Sequence, residues 1–468
     1  MILLTLLSMA LIPATAQAAT LKPPYFTPAD CGFTVPTGRT VKCGDVTVAE
    51  QHKVANGKTI KLHVAVFKAT SAKPYPDPII YLDGGPGGMS FKALDRRLDG
   101  FAPYMVDRDF IIFDQRGIGL SQPSLDCPEM LQSEINSLNQ PSTNITAGLG
   151  ELTAIRKCHD RLAKANVNFA AFNSEENAAD VADLRTALGY KSWNLYGISY
   201  GTRLALITMR DFPTGVRSVI LDSTFPPDRA INGTEFGANQ IRAFRTLWAG
   251  CAKDQQCNQN FPQLAKTYSK LIADLNRQPV SVPIKDVVTG KQYKVLLDGN
   301  RVEQGIFLAL YSRSLIPVLP AAISDAANGR YTLIASIAFR NFSVDSEISY
   351  GMYFTVDCGD RVISGIICNI WGVSPIVSAH PGPVSSTIPT FITAGEYDPV
   401  TSPEFGSTAG KSLSRSFFFL FPGFGHGVTV SGTCPAGMML QFLAAPTTKP
   451  DSHCIAALKP PQWTSSDF

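Results

Sequence analysis

The sequence predicts an α/β fold with a mostly parallel central sheet and an inserted, mainly helical segment, on three observations. Short apolar runs that end at or next to Asp or Gly recur at 78–82, 110–113, 193–196 and 216–221, and another at 389–393 leads into Ala394-Gly395; strands buried on both faces read this way. Helical periods separate several of these runs, as expected for a doubly wound sheet. From 226 to 386 the alternation stops and helical stretches dominate.

In chain order, 62–67 alternates apolar and polar residues, which suits a half-buried antiparallel strand near a sheet edge. The runs at 78–82 and 110–113 follow as central strands. Residues 175–188 place Val181, Leu184 and Leu188 on one helical face, with Asn173 and Ser174 as N-cap candidates and Gly189 as C-cap. The strand at 193–196 runs into a helical pattern at 202–210. Helical stretches at 240–251 and 265–276 lie in the segment read as a cap. Sheet character resumes at 389 and again at 416–421. These readings divide the chain into 1–19, 20–225 (first part of the sheet domain), 226–386 (inserted cap) and 387–468 (its C-terminal part).

At 468 residues with 45% hydrophobic side chains, the chain can bury a large core. Its 41 Lys+Arg against 38 Asp+Glu leave +3, too even for a nucleic-acid footprint or a polybasic membrane patch. Residues 1–19 carry no charge, hold an apolar run and close with small residues, as a secretory signal does apart from the missing basic start. The run is shorter than the ~20 residues of a spanning helix. A secreted or periplasmic mature protein without stable membrane association is expected. Ten cysteines without a C-x-x-C pair fit oxidised pairs better than zinc, and neighbour-to-neighbour pairing is the expectation. Sequons occur at Asn144, Asn232 and Asn341.

The sharpest motif is Gly197-Ile198-Ser199-Tyr200-Gly201, at the strand-to-helix turn that a nucleophile elbow requires. Such a turn strains the serine backbone and points the Tyr200 N–H at a developing oxyanion. A serine hydroxyl is a poor nucleophile at neutral pH, so a histidine must take its proton and a carboxylate must orient that histidine. With chain order serine, acid, histidine, His426 and His453 remain, and His426 stands in a glycine-rich loop directly after an apolar strand. Asp398, ahead of Pro399, is the candidate acid; Glu396 and Asp222 are its rivals. The loop Asp83-Gly84-Gly85-Pro86-Gly87-Gly88 offers Gly84 and Gly85 amides as further oxyanion donors. No phosphate loop or dinucleotide fingerprint is present, so no metal or organic cofactor is expected. Asp114 and Arg116 are read as structural residues that hold the neighbouring loops by ion pairing.

Together with Asp114-Gln115-Arg116-Gly117, Gly395-Glu396-Tyr397-Asp398-Pro399-Val400-Thr401 and Gly423-Phe424-Gly425-His426-Gly427, these motifs resemble the tripeptidyl and prolyl aminopeptidase family of α/β-hydrolases. The likeness spans nearly the whole mature chain, with the motifs in family order. It implies an α/β-hydrolase fold with a helical cap and the triad Ser199, Asp398 and His426, acting on peptides with a free N-terminus. Prolyl members usually carry His at the position of Asp83 and Trp at that of Tyr200, so the chain looks more like the secreted tripeptidyl branch. Because a free α-amino group arrives charged, a carboxylate should face it from the cap, and Asp357 and Asp360 are the candidates. An esterase on the same fold, or a noncatalytic binding protein, is the alternative expectation.

Overall fold

The computed structural model describes residues 22–464 except 56, 143–144, 230–232, 287–288, 341–346, 361–364, 377–379 and 381. The expected signal and the three sequons lie outside the described residues. Strands β1 (Tyr25–Pro28), β2 (Val41–Ala49), β3 (Thr59–Phe67), β4 (Ile79–Leu82), β5 (Phe110–Phe113), β6 (Trp193–Ile198) and β7 (Val216–Asp222) precede the inserted segment. That segment holds the hairpin β8 (Val280–Lys285) and β9 (Gln292–Leu297); β10 (Thr390–Gly395) and β11 (Ser416–Phe421) follow.

One nine-stranded sheet runs in the order β1-β2-β3-β5-β4-β6-β7-β10-β11. From β5 to β11 every pairing is parallel, whereas β1, β2 and β3 form an antiparallel flank. β3 thus sits third from the edge, which explains why most of it is buried. The flank's outer strands lack the short unbroken apolar run that marks a parallel strand, so the sequence does not announce them.

Strand periodicity splits the core between the two faces. Tyr196, Ile198, Ile220 and Phe391 pack with helices Leu94–Phe101 and Thr433–Ala444 on one side. Leu195, Val219, Leu221 and Ile392 pack with Ser174–Leu188 and Tyr200–Asp211 on the other. The first of these two helices starts as expected, with Asn173 accepting from the Glu176 N–H, and stops at Gly189 in the left-handed region, φ 80°.

The inserted segment has its own apolar core around Leu247, Leu271, Val302 and Ile306. Its β8–β9 hairpin adds strands that the mainly helical expectation did not locate: Val282 and Ile284 alternate with exposed residues, but Pro283 between them masked the pattern. Helix Tyr350–Gly359 packs instead with Pro128–Ser137 and Ile145–Lys164, which precede β6, so two stretches of chain build one helical cluster.

All ten cysteines pair with their sequence neighbours: Cys31–Cys43, Cys127–Cys158, Cys251–Cys257, Cys358–Cys368 and Cys434–Cys454. Among the described residues, no helix is long and apolar enough to cross a membrane.

Candidate active site

Ser199 occupies the turn between β6 and helix Tyr200–Asp211 with φ 60° and ψ −126°, a conformation that is costly for any residue with a Cβ. The turn persists because its surroundings fix it. The Ser199 N–H donates to the Asp222 carbonyl at 3.1 Å, and Thr202 Oγ1 donates to the Ser199 carbonyl at 2.6 Å. Gly201 crosses β4 so closely that a Cβ there would lie 1.8 Å from the Leu82 carbonyl oxygen.

His426 follows β11, and its Nδ1 lies 2.9 Å from Asp398 Oδ2. Asp398 is fully buried, in the loop after β10. Its Oδ1 accepts from the Val400 and Thr401 N–H groups at 3.0 and 2.9 Å, and Thr401 Oγ1 donates to Oδ2 at 2.8 Å. Burial alone would push this carboxyl up, but the charge and hydrogen bond of His426, with the Thr401 and Val400 donors, hold it below the usual carboxylate range. Burial likewise pulls His426 down, and the charge and hydrogen bond of Asp398, helped by Asp222, more than offset it, leaving the imidazole more basic than usual.

Ser199 and His426 line one cavity of about 490 Å³ with Gly84 and Gly85. No hydrogen bond of 3.5 Å or less joins the two side chains; such contacts commonly tighten only around substrate. Tyr200, in the first turn of its helix, has no intrahelical acceptor for its N–H. Gly84 departs from expectation as an oxyanion donor, because its N–H already donates to Asp83 Oδ1 at 2.7 Å. The amides of Gly85 and Tyr200 remain for that role.

The rival acids serve as loop anchors. Asp222, at the end of β7, accepts from the Val428 and Thr429 N–H groups at 2.9 and 2.7 Å and from the Thr429 hydroxyl. Glu396 accepts from the Gly423 N–H at 2.9 Å. His453 is 95% exposed, as a surface residue should be.

The proposed amine ligands are corrected by the structure. Asp360 is held beneath the elbow helix, in an ion pair with Arg203 at 3.0 Å and a hydrogen bond from Ser174. Asp357 is buried, and burial together with the neighbouring Asp360 charge pushes its pKa up to about 8, so at neutral pH it is mostly uncharged. Neither lines the cavity. The carboxylate that does is Asp83, already engaged by Arg97, Tyr81 and Ser90. Arg116 holds its surroundings by ion pairing with Asp180, as expected, whereas Asp114 holds its loop by accepting from the Phe91 and Leu120 N–H groups.

Sequence reasoning missed the residues that hold the acid loop from the inserted segment. Arg242, on helix Gly233–Lys253, donates to the Glu396 and Asp398 carbonyls, and Asn239 donates to the Val400 carbonyl at 2.7 Å. Thr401 stands in the acid's own motif, where a hydroxyl three residues after a turn-forming Asp was a readable signal. Among the described residues, the group with metal-ligand spacing is Cys127, Glu129 and Cys158, whose two sulfurs are joined in a disulfide.

Residues 77–432 match the family model described as the alpha/beta hydrolase fold. The chain belongs to the α/β hydrolase family. This hydrolase is 23% identical over 456 residues to Serine protease Hip1 of Mycobacterium tuberculosis, covering 87% of this chain and 86% of that protein. It is 27% identical over 225 residues to the Tripeptidyl aminopeptidase of Streptomyces lividans, covering 47% of this chain and 42% of that protein. A third similar protein is the Carboxylesterase B of Mycobacterium tuberculosis, 23% identical over 462 residues, with 88% of this chain and 86% of that one covered.

Proposed function

We propose that this α/β hydrolase is an exported serine peptidase that cleaves near the free N-terminus of peptides through an acyl-enzyme. The observation that carries the reading is the 2.9 Å bond between buried Asp398 and Nδ1 of His426, which lines one cavity with Ser199. It occupies Nδ1 and leaves Nε2 to take the proton from Ser199 Oγ as the oxygen attacks the scissile carbonyl. The N–H groups of Tyr200 and Gly85 receive the oxyanion. His426 then protonates the departing amine, and water, activated the same way, releases the acyl product.

Relatives named as a serine protease and a tripeptidyl aminopeptidase support peptide substrates. The five disulfides support an oxidising compartment.

A tripeptide p-nitroanilide with a free amine and its N-acetyl counterpart test the exopeptidase reading. The blocked compound should turn over about 10²-fold more slowly, the loss expected when a charged hydrogen bond disappears. Equal rates would refute N-terminal recognition and leave a hydrolase. The relative named a carboxylesterase makes p-nitrophenyl esters the second substrate class to compare.

The base must be neutral to work, and Asp398 holds the His426 pKa above its ordinary 6.5 after the opposing pull of burial. The acid limb of kcat/KM should therefore lie above pH 6.5, with activity falling as pH drops through it. A limb at or below pH 6.5 would show that Asp398 does not offset the burial of His426.

A further inference from the structure

We propose that Tyr311, contributed by the inserted segment, is the positioning residue that fixes the orientation of the His426 imidazole; this rests on the triad reading above. Tyr311 lies in the turn after helix Gly299–Ala309 and touches the histidine loop twice. Its carbonyl accepts the His426 N–H at 3.0 Å, and its ring packs on the imidazole with centroids 4.7 Å apart at 47°. The same ring lines the cavity beside Ser199. It is braced from behind by Phe307, with ring centroids 5.7 Å apart.

The loop is shaped for this contact. At Gly425 a Cβ would lie 2.0 Å from the Leu310 carbonyl oxygen and 2.6 Å from that of Tyr311, so only glycine lets the turn approach so closely. Arg313, two residues on, lays its guanidinium over the Phe424 ring at 4.1 Å. Asp398 and Thr401 both meet the imidazole at Nδ1, and neither restrains the tilt of the side chain toward the cavity. The Tyr311 ring packed beside it limits that tilt. The charged groups acting on His426 are Asp398, from the loop after β10, and Asp222, from the end of β7. Tyr311 adds an uncharged aromatic face, which favours the imidazolium.

The test uses the full chain and a fluorophosphonate probe, whose rate of labelling Ser199 depends on His426 and on no particular peptide. Tyr311→Phe keeps the ring and should label within about twofold of the unaltered protein. Tyr311→Leu and Tyr311→Met remove the aromatic face. They should label at least about tenfold more slowly at the pH plateau, with the acid limb moved down by about half a unit. Thermal melts identify which variants are folded, and the unbranched Met provides a second chance of packing the site. Labelling by Leu or Met variants within twofold of the parent, with an unmoved limb, would overturn the proposal. So would a Phe variant as slow as the Leu variant. Failure of the unaltered protein to label would instead refute the triad reading, so the two failures are distinguishable.

Discussion

Ser199→Ala should lower peptide or ester turnover by at least about 10⁴-fold and abolish fluorophosphonate labelling. Without Oγ nothing forms the acyl intermediate, and the oxyanion amides and the cavity contribute only what they offer to attack by water. The variant should fold, since the turn is held by hydrogen bonds from backbone and from Thr202, none of which uses the lost hydroxyl. Ser199→Gly should be equally inactive yet more resistant to unfolding, by about 1 kcal/mol, because φ 60° with ψ −126° suits glycine and strains any side chain. Turnover by either variant within tenfold of the parent would remove Ser199 from the mechanism.

Arg116→Met should destabilise the protein by about 3–5 kcal/mol, measured as a lowered denaturation midpoint. Arg116 is fully buried, and its guanidinium meets Asp180 at 2.7 and 2.6 Å while donating to the carbonyls of Ala49, Glu50 and Ala171. Removing it leaves a carboxylate that is itself 0% exposed, and that burial pushes up, with only the longer contact to His52 at 3.6 Å as a charge partner. The double substitution Arg116→Met with Asp180→Leu should recover part of the loss, since an apolar pair leaves no buried charge. If the double variant were no more stable than Arg116→Met alone, the stranded charge would not be the cause.

The central sheet and the positions of the candidate triad were legible because each of their signals is local. A short apolar run names a parallel strand, and Ser199, Asp398 and His426 each stand within a few residues of the end of such a run. The caps of helix Ser174–Leu188 were equally readable, since Asn173 and Gly189 act within one turn. What failed to show depends on partners far away in sequence. Arg116 stands two residues from Asp114 but pairs with Asp180, 64 positions on. Asp360 had the charge for an amine ligand and proved to be neutralised by Arg203, 157 residues earlier. The Gly84 amide faces its own neighbour's carboxylate, a matter of backbone direction that composition does not reveal. Likewise Arg242 and Asn239 carry no motif, because they act on carbonyls of the acid loop.

The residue at the end of β7 has a wider consequence. Asp222 binds the elbow through its carbonyl and the histidine loop through its carboxylate, so a single residue rigidly spaces two loops more than two hundred positions apart. The candidate geometry is thereby anchored to the sheet, while the cavity beside it is closed partly by Tyr311 and Ile348 from between β7 and β10. Changes at those two positions can reshape the cavity without moving the loops that Asp222 spaces.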